Sequence, residues 1–209
     1  MTPEDITALF TRKTGDYVFA RWGRPIAPVV FGVEDSTLGT VKGAVEALCN
    51  LAGHEMAETD PELGSNFMWF FFRDWTELQG VSGLDRLVPD LDALVPRLQA
   101  AEANQYRFFR FDEAGAIKAC FVFIRMDEHL SAVSAETLAL SQAVQSMVLW
   151  SDLAFQDQSP LAVAGDTTVL RPDIAGLIRA AYDPVMPVAA HDPSHALRLS
   201  ARLNVAQQH

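Results

Sequence analysis

An α+β fold is predicted, with a mixed β-sheet followed by mainly helical chain, and three observations predict it. Short runs of aromatic and branched residues fill residues 16–126, where NFMWFFF and two runs joined by EAG stand out. Apolar residues at three- and four-residue steps fill residues 127–209, most clearly in Ser134–Trp150. Strand-rich and helix-rich stretches are thus segregated rather than alternating, which separates this pattern from a regular α/β winding. With 209 residues, 49% of them hydrophobic, the chain can bury one sizeable core, so a single domain over 1–209 is expected.

The first element is a helix over Pro3–Thr14, capped by Thr2, with Pro3 in the first turn and Gly15 as its stop; it reads as an outer arm. Tyr17–Trp22 and Ile26–Phe31 follow as strands linked by GRP. Ser36–Ala52 carries Leu38, Val41, Val45 and Leu48 at helical spacing, and Gly53 sits where a left-handed stop falls. Phe67–Phe72 is too uniformly apolar for a half-exposed strand, which puts it at the sheet centre, covered on both faces. Asp74–Leu78 makes a helical turn. Leu84–Glu102 keeps helical spacing but contains Pro89 and Pro96, so it divides into two short helices. Tyr106–Asp112 and Ala116–Arg125 form a hairpin.

Ser134–Trp150 is the helix around which the rest is organised. Ser134 caps it, while Thr137, Leu140, Val144, Met147, Val148 and Ser151 give the stripe that faces a core; Gln142, Gln145 and Ser146 lie on the other side. After Asp152 the chain loosens through FQDQSPLAVAGDTT. A helix then begins near Arg171, with Pro172 in its first turn and Ile174, Leu177, Ile178 and Ala181 on one side. Asp192 and Pro193 open a last helix, and the tail VAQQH frays.

Charge and motifs exclude several function classes. The 16 basic and 27 acidic residues give a formal charge of -11, which repels phosphate backbones and anionic membrane surfaces, so no nucleic-acid partner is expected. No apolar run approaches a membrane span, and the start shows no basic segment followed by an apolar run. The chain as given is expected in the cytoplasm, or in the periplasm or outside the cell if a leader preceded it. Cys49, on a helix, and Cys120, in a strand, fit no zinc or redox spacing; buried free thiols and a disulfide are both open. The run His54-Glu55-Met56-Ala57-Glu58 imitates the start of a zinc-binding helix, but it follows the stop at Gly53, where successive side chains diverge. His191 and His195 are separated by a helix start, and His129 falls in a turn. The glycines build no phosphate cradle, and no G-x-S-x-G elbow presents a nucleophile. Trp69, Phe70, Phe71, Phe72 and Trp75 read as core packing.

The C-terminal third resembles the metzincin branch of zinc metallopeptidases in spacing and framework. That family carries H-E-x-x-H-x-x-G-x-x-H or D, a methionine turn, and then a helix of the form L-x-x-D-I-x-x-I-x-x-L-Y. Here Ser141-Gln142-Ala143-Val144-Gln145-Ser146-Met147-Val148-Leu149-Trp150-Ser151 occupies the first motif, Ser159-Pro160-Leu161 the turn, and Leu170 through Tyr182 the closing helix, with Leu, Asp and Ile kept and the Tyr one residue further on. The chain is most similar to an uncharacterised group of bacterial zincin-like proteins with a pattern near E-E-x-x-Q-x-x-G-L-x-N-D, S-x-F and a final L-Y-D-P. It shows Gln145, Leu149, Ser151-Asp152, Ser159 and Tyr182-Asp183-Pro184 in that order, with Ser151 at the position of the asparagine, and its RWGRPI and NFMWFFF resemble the group's opening strands.

The resemblance implies a zincin-like mixed sheet with flanking helices and a degenerate active-site helix, Ser134–Trp150. Ser141 and Gln145 stand where imidazoles would bind metal, Gln142 where the general base would be, Val148 for the turn glycine and Ser151 for the third ligand. Neutral amides and hydroxyls are weak zinc ligands, and glutamine cannot take a proton from water, so no metal and no cofactor are expected. The implied function is non-catalytic, a pseudoenzyme or accessory protein using a former peptidase cleft. Gln142, Gln145, Trp150 and Asp152 would line that cleft, holding a protein partner, a peptide or a small polar ligand. Two other readings stand beside it: a hydrolase built from His129, His191 or His195 with Asp152 and Glu136, and a structural subunit marked by an exposed apolar patch.

Overall fold

Aromatic strands pair through the middle of the chain and helices close over both their faces. The structure is a computed structural model describing residues 1–206; Gln207–His209, part of the tail expected to fray, lie outside the described residues. The elements run α1 (Pro3–Phe10), β1 (Phe19–Ala20), β2 (Pro28–Phe31), α2 (Asp35–Ala52), β3 (Phe67–Phe72), a 3-10 helix (Trp75–Gly80), α3 (Leu84–Leu87) and α4 (Leu91–Ala100). There follow β4 (Gln105–Phe111), β5 (Ile117–Arg125), α5 (Glu128–Ser131), α6 (Ala135–Met147), β6 (Leu161–Ala164), β7 (Thr167–Leu170), α7 (Pro172–Ala181), β8 (Ala189–Ala190) and α8 (Ser194–Ala206).

The main sheet has the order β2-β3-β5-β4; β2, β3 and β5 are parallel, and β4 is antiparallel to β5 on the edge. Parallel neighbours need a crossover, and α2 supplies the one from β2 to β3. Gly53 ends α2 in the left-handed region at φ 64°, as its position predicts. At the end of β2, Gly32 has φ +83°, and a Cβ there would stand 2.5 Å from the Phe71 carbonyl oxygen, so only glycine fits. The run of β3 lies between β2 and β5 as expected, because alternate residues serve two cores. Phe67 and Trp69 pack with α2 and α6, and Phe70 and Phe72 pack with Trp75, Leu78 and α4. The molecule is therefore a mixed α+β structure whose sheet is covered by helices on both sides.

Several elements differ from expectation. The amino-terminal helix is no outer arm: Ile6 and Phe10 are fully buried, and the Phe10 ring stacks on Trp150 at 5.3 Å. Its capping box is complete, with Asp5 N–H donating to Thr2 Oγ1 and Thr2 N–H to Asp5 Oδ2. The loose segment after Asp152 contains the β6–β7 hairpin, and the short β8 pairs with β1. The cysteines form no disulfide; both are free and buried.

The organising helix stops at Met147 rather than Trp150, and Val148 is already extended at φ -137°. It has no solvent face of the kind its polar residues predict. Gln142 and Ser146 are buried together with Leu138, Ala139, Ala143, Val144 and Met147, because α6 is enclosed by α2, the sheet and its own exit segment. Three ring donors finish it. Trp150 Nε1 donates to the Val144 carbonyl at 3.0 Å, Trp22 Nε1 to that of Ser146 at 2.9 Å, and Tyr182 Oη to that of Met147 at 2.7 Å. A helix leaves its last four carbonyls unpaired, and aromatic side chains satisfy three of them here.

Candidate functional site

A cleft of about 770 Å³ opens between edge strand β4 and the segment leaving α6, within the size range of small-ligand pockets. Gln105, Arg107 and Phe109 line it from β4; Gln145, Trp150 and Phe155 line it from the other side. The strand geometry makes this wall. Alternation along QYRFFRF turns Tyr106 and Phe108 toward the core below the sheet, and leaves Gln105, Arg107 and Phe109 on the face that α6 covers. In the sheet, β4 pairs only with β5, so its outer row of backbone groups has no strand partner among the described residues.

The four residues expected in a cleft are divided by the structure. Gln145, Trp150 and Asp152 line it, whereas Gln142 is 1% exposed and lies behind its wall. Gln142 is nonetheless not sealed in an apolar interior. Its Nε2 donates to Gln105 Oε1 at 2.7 Å, and Arg107 Nη2 donates both to Gln142 Oε1 and, at 3.2 Å, to Gln105 Oε1. These bonds close a ring of three side chains that ties the middle of α6 to the edge strand. Gln145 bonds one turn back to Ser141 Oγ at 3.0 Å. Asp152 accepts from the Lys13 backbone N–H at 3.0 Å, the main reason its carboxyl lies below the usual range; it secures the exit of α1. Trp150 is clamped between Phe10 and Phe155.

Three further residues matter that sequence reasoning did not select. Arg107 is half-buried on the cleft wall, its Nε is buried without a partner, and burial pulls its guanidinium down to about 10. Gln105 orders it. Phe155 holds φ 64°, a left-handed conformation that a bulky side chain adopts at a cost of about 1–2 kcal/mol. In that position its ring meets Trp150 edge-on at 4.9 Å.

The described histidines build no common site. His129 and His191 are exposed, whereas His195 is buried, sharing a 2.8 Å hydrogen bond with Tyr17 Oη through Nδ1. His54 Nε2 contacts the Arg24 carbonyl oxygen at 2.9 Å, and the His54 ring leans on Tyr182. No group of three or more His, Cys, Asp or Glu residues is placed to hold a metal ion among the described residues. No helix among them is long and apolar enough to cross a membrane. Comparison with protein-family models, curated proteins and solved structures found no match.

Proposed function

We propose that this chain is a non-catalytic binding protein, zincin-like in descent, which holds an extended peptide or small polar ligand between β4 and the exit of α6. The observation that carries the reading is the state of Gln142. At the position where the metallopeptidase resemblance puts the general base stands an amide whose oxygen is engaged by a guanidinium and whose nitrogen is spent on Gln105. Such a group has no lone pair of useful basicity. What survives around it is suited to holding rather than cutting. An unpaired strand edge offers backbone hydrogen bonds to an extended chain, and the Trp150–Phe155 wall offers apolar contact. The backbone cost at Phe155 is the kind of local strain that persists at ligand clamps.

The test has two parts. Elemental analysis of the purified full chain is expected to show zinc far below one equivalent; one equivalent of zinc that disappears in Gln145→Ala would overturn the reading. Calorimetric titration with short uncharged and charged peptides is expected to show saturable binding that weakens about tenfold in Phe155→Ala, a loss of about 1.4 kcal/mol.

A further inference from the structure

Among the described residues no carboxylate answers the charge of Arg107. Among the described residues the ion pairs engage Arg24, Lys118, Arg125, Arg171 and Arg202, and Arg107 has no carboxylate within 4 Å. Arg21, also half-buried without a carboxylate, stacks on the Tyr182 ring at 5.4 Å; Arg107 has no such aromatic face. Its Nη2 is spent on two glutamine oxygens, and its Nε is buried and unpartnered. A guanidinium has five N–H donors in a planar fork, and leaving a buried donor unmade is costly. Two glutamines that point their oxygens at one cation fix its orientation while leaving its charge in place.

The cleft around it is electrostatically unlike the rest of the chain. Its lining contains two cationic side chains, Arg12 and Arg107, and one anion, Asp152, in a protein of formal charge -11. Asp152 is already committed to the Lys13 N–H. The shape favours one kind of anion. No lysine lines the cleft; apart from Arg12, Arg107 and Asp152 its walls are mostly aromatic, aliphatic or amide, and the Ser151 hydroxyl already donates to the Thr11 carbonyl, so a phosphate would find few donors for its remaining oxygens. A planar carboxylate matches the planar fork.

We propose that Arg107, oriented by Gln105 and Gln142, is the anchor of a carboxylate-binding subsite in this cleft, taking the carboxylate of a peptide ligand. The inference rests on the cleft being a binding site and adds the chemistry of its occupant. The carboxylate comes from a peptide C-terminus or from an acidic side chain, and the probes separate these.

Calorimetry on the full chain would compare N-acetyl tetra-alanine as free acid, the same peptide as its amide, an amide carrying one internal Glu, and inorganic phosphate. The expected result is that one of the acidic peptides binds about tenfold or more tightly than the uncharged amide, and the tighter one names the source. Arg107→Gln is expected to erase that preference. Gln142→Glu, which keeps the arginine and supplies an internal carboxylate to it, is expected to erase it too, with the thermal midpoint unchanged or raised. Preference that survives in both variants overturns the proposal, as does phosphate binding more tightly than either acid. Equal binding of all three peptides removes the carboxylate subsite and leaves the cleft reading standing; no binding of any up to about 10 mM removes both.

Discussion

Gln142 on α6 and Arg107 on β4 are joined by a hydrogen bond from Nη2 to Oε1 that spans the boundary between helix and sheet edge. The same amide is the only acceptor on α6 that the guanidinium has among the described residues, so the two substitutions that change it should have opposite signs. Gln142→Leu removes one of the two oxygens that hold a half-buried charge, and also the donor to Gln105, and should cost about 2–3 kcal/mol. Gln142→Glu turns a neutral acceptor into a charged one beside a half-buried cation and should add about 1 kcal/mol near neutral pH. Urea denaturation of the three proteins reads both; equal destabilisation by Leu and Glu would show that the ring of side chains does not form.

The aromatic finish of α6 predicts a second pair. Tyr182→Phe removes only the hydroxyl that donates to Met147 and should cost about 1–2 kcal/mol. Trp22→Phe loses its donor to Ser146 and leaves a void in a fully buried site, so about 3 kcal/mol is expected. Chemical denaturation gives the totals, and amide exchange in residues 144–150 should accelerate in both variants more than in α2.

His195 predicts a pH dependence. Burial, with help from nearby Arg198, pushes its ring down to about 4 from the ordinary 6.5. Between those values the unfolded chain binds more protons than the folded one. The stabilising contribution is therefore complete above about pH 6.5 and is lost as pH falls toward 4. After allowance for solvent screening it amounts to about 2 kcal/mol. The slope of stability between pH 4 and 6.5 should flatten in His195→Gln, and an unchanged slope would assign it to other groups.

The two cysteines predict chemical silence. Burial raises both the Cys49 and the Cys120 thiols to about 12, so neither offers thiolate at pH 8. A disulfide-exchange reagent should find no fast thiol in the native protein and both after denaturation; rapid native labelling would mean that α2 or β5 opens.

How much was legible in the chain depended on whether a residue's partner lay close by. NFMWFFF declared a doubly covered strand by composition alone, because a run without polar residues can sit only where both faces are buried. Gly53, Pro172 and the stripe of α7 were local signals, and each appears where predicted. Gln142 and Ser146 misled because polarity was taken for exposure. Ser146 satisfies itself on the Gln142 carbonyl four residues back, and Gln142 is satisfied by a strand some way upstream that no helical pattern reveals. Arg107 was hidden for the same reason. The alternation in QYRFFRF marks a polar face, but only the three-dimensional path of α6 shows that this face is roofed. The β6–β7 hairpin escaped because Leu161–Ala164 is half small residues with a turn-like flank, and strand pairing is a property of two segments together.

The ring donors that complete α6 come from positions 22, 150 and 182, which sets an order of events during synthesis. A ribosome releases Trp22 long before the helix exists and Tyr182 well after it has emerged. The last turn of α6 is thus left waiting on the chain until α7 follows, and a nascent protein halted short of it carries a cleft whose back wall is still unfastened.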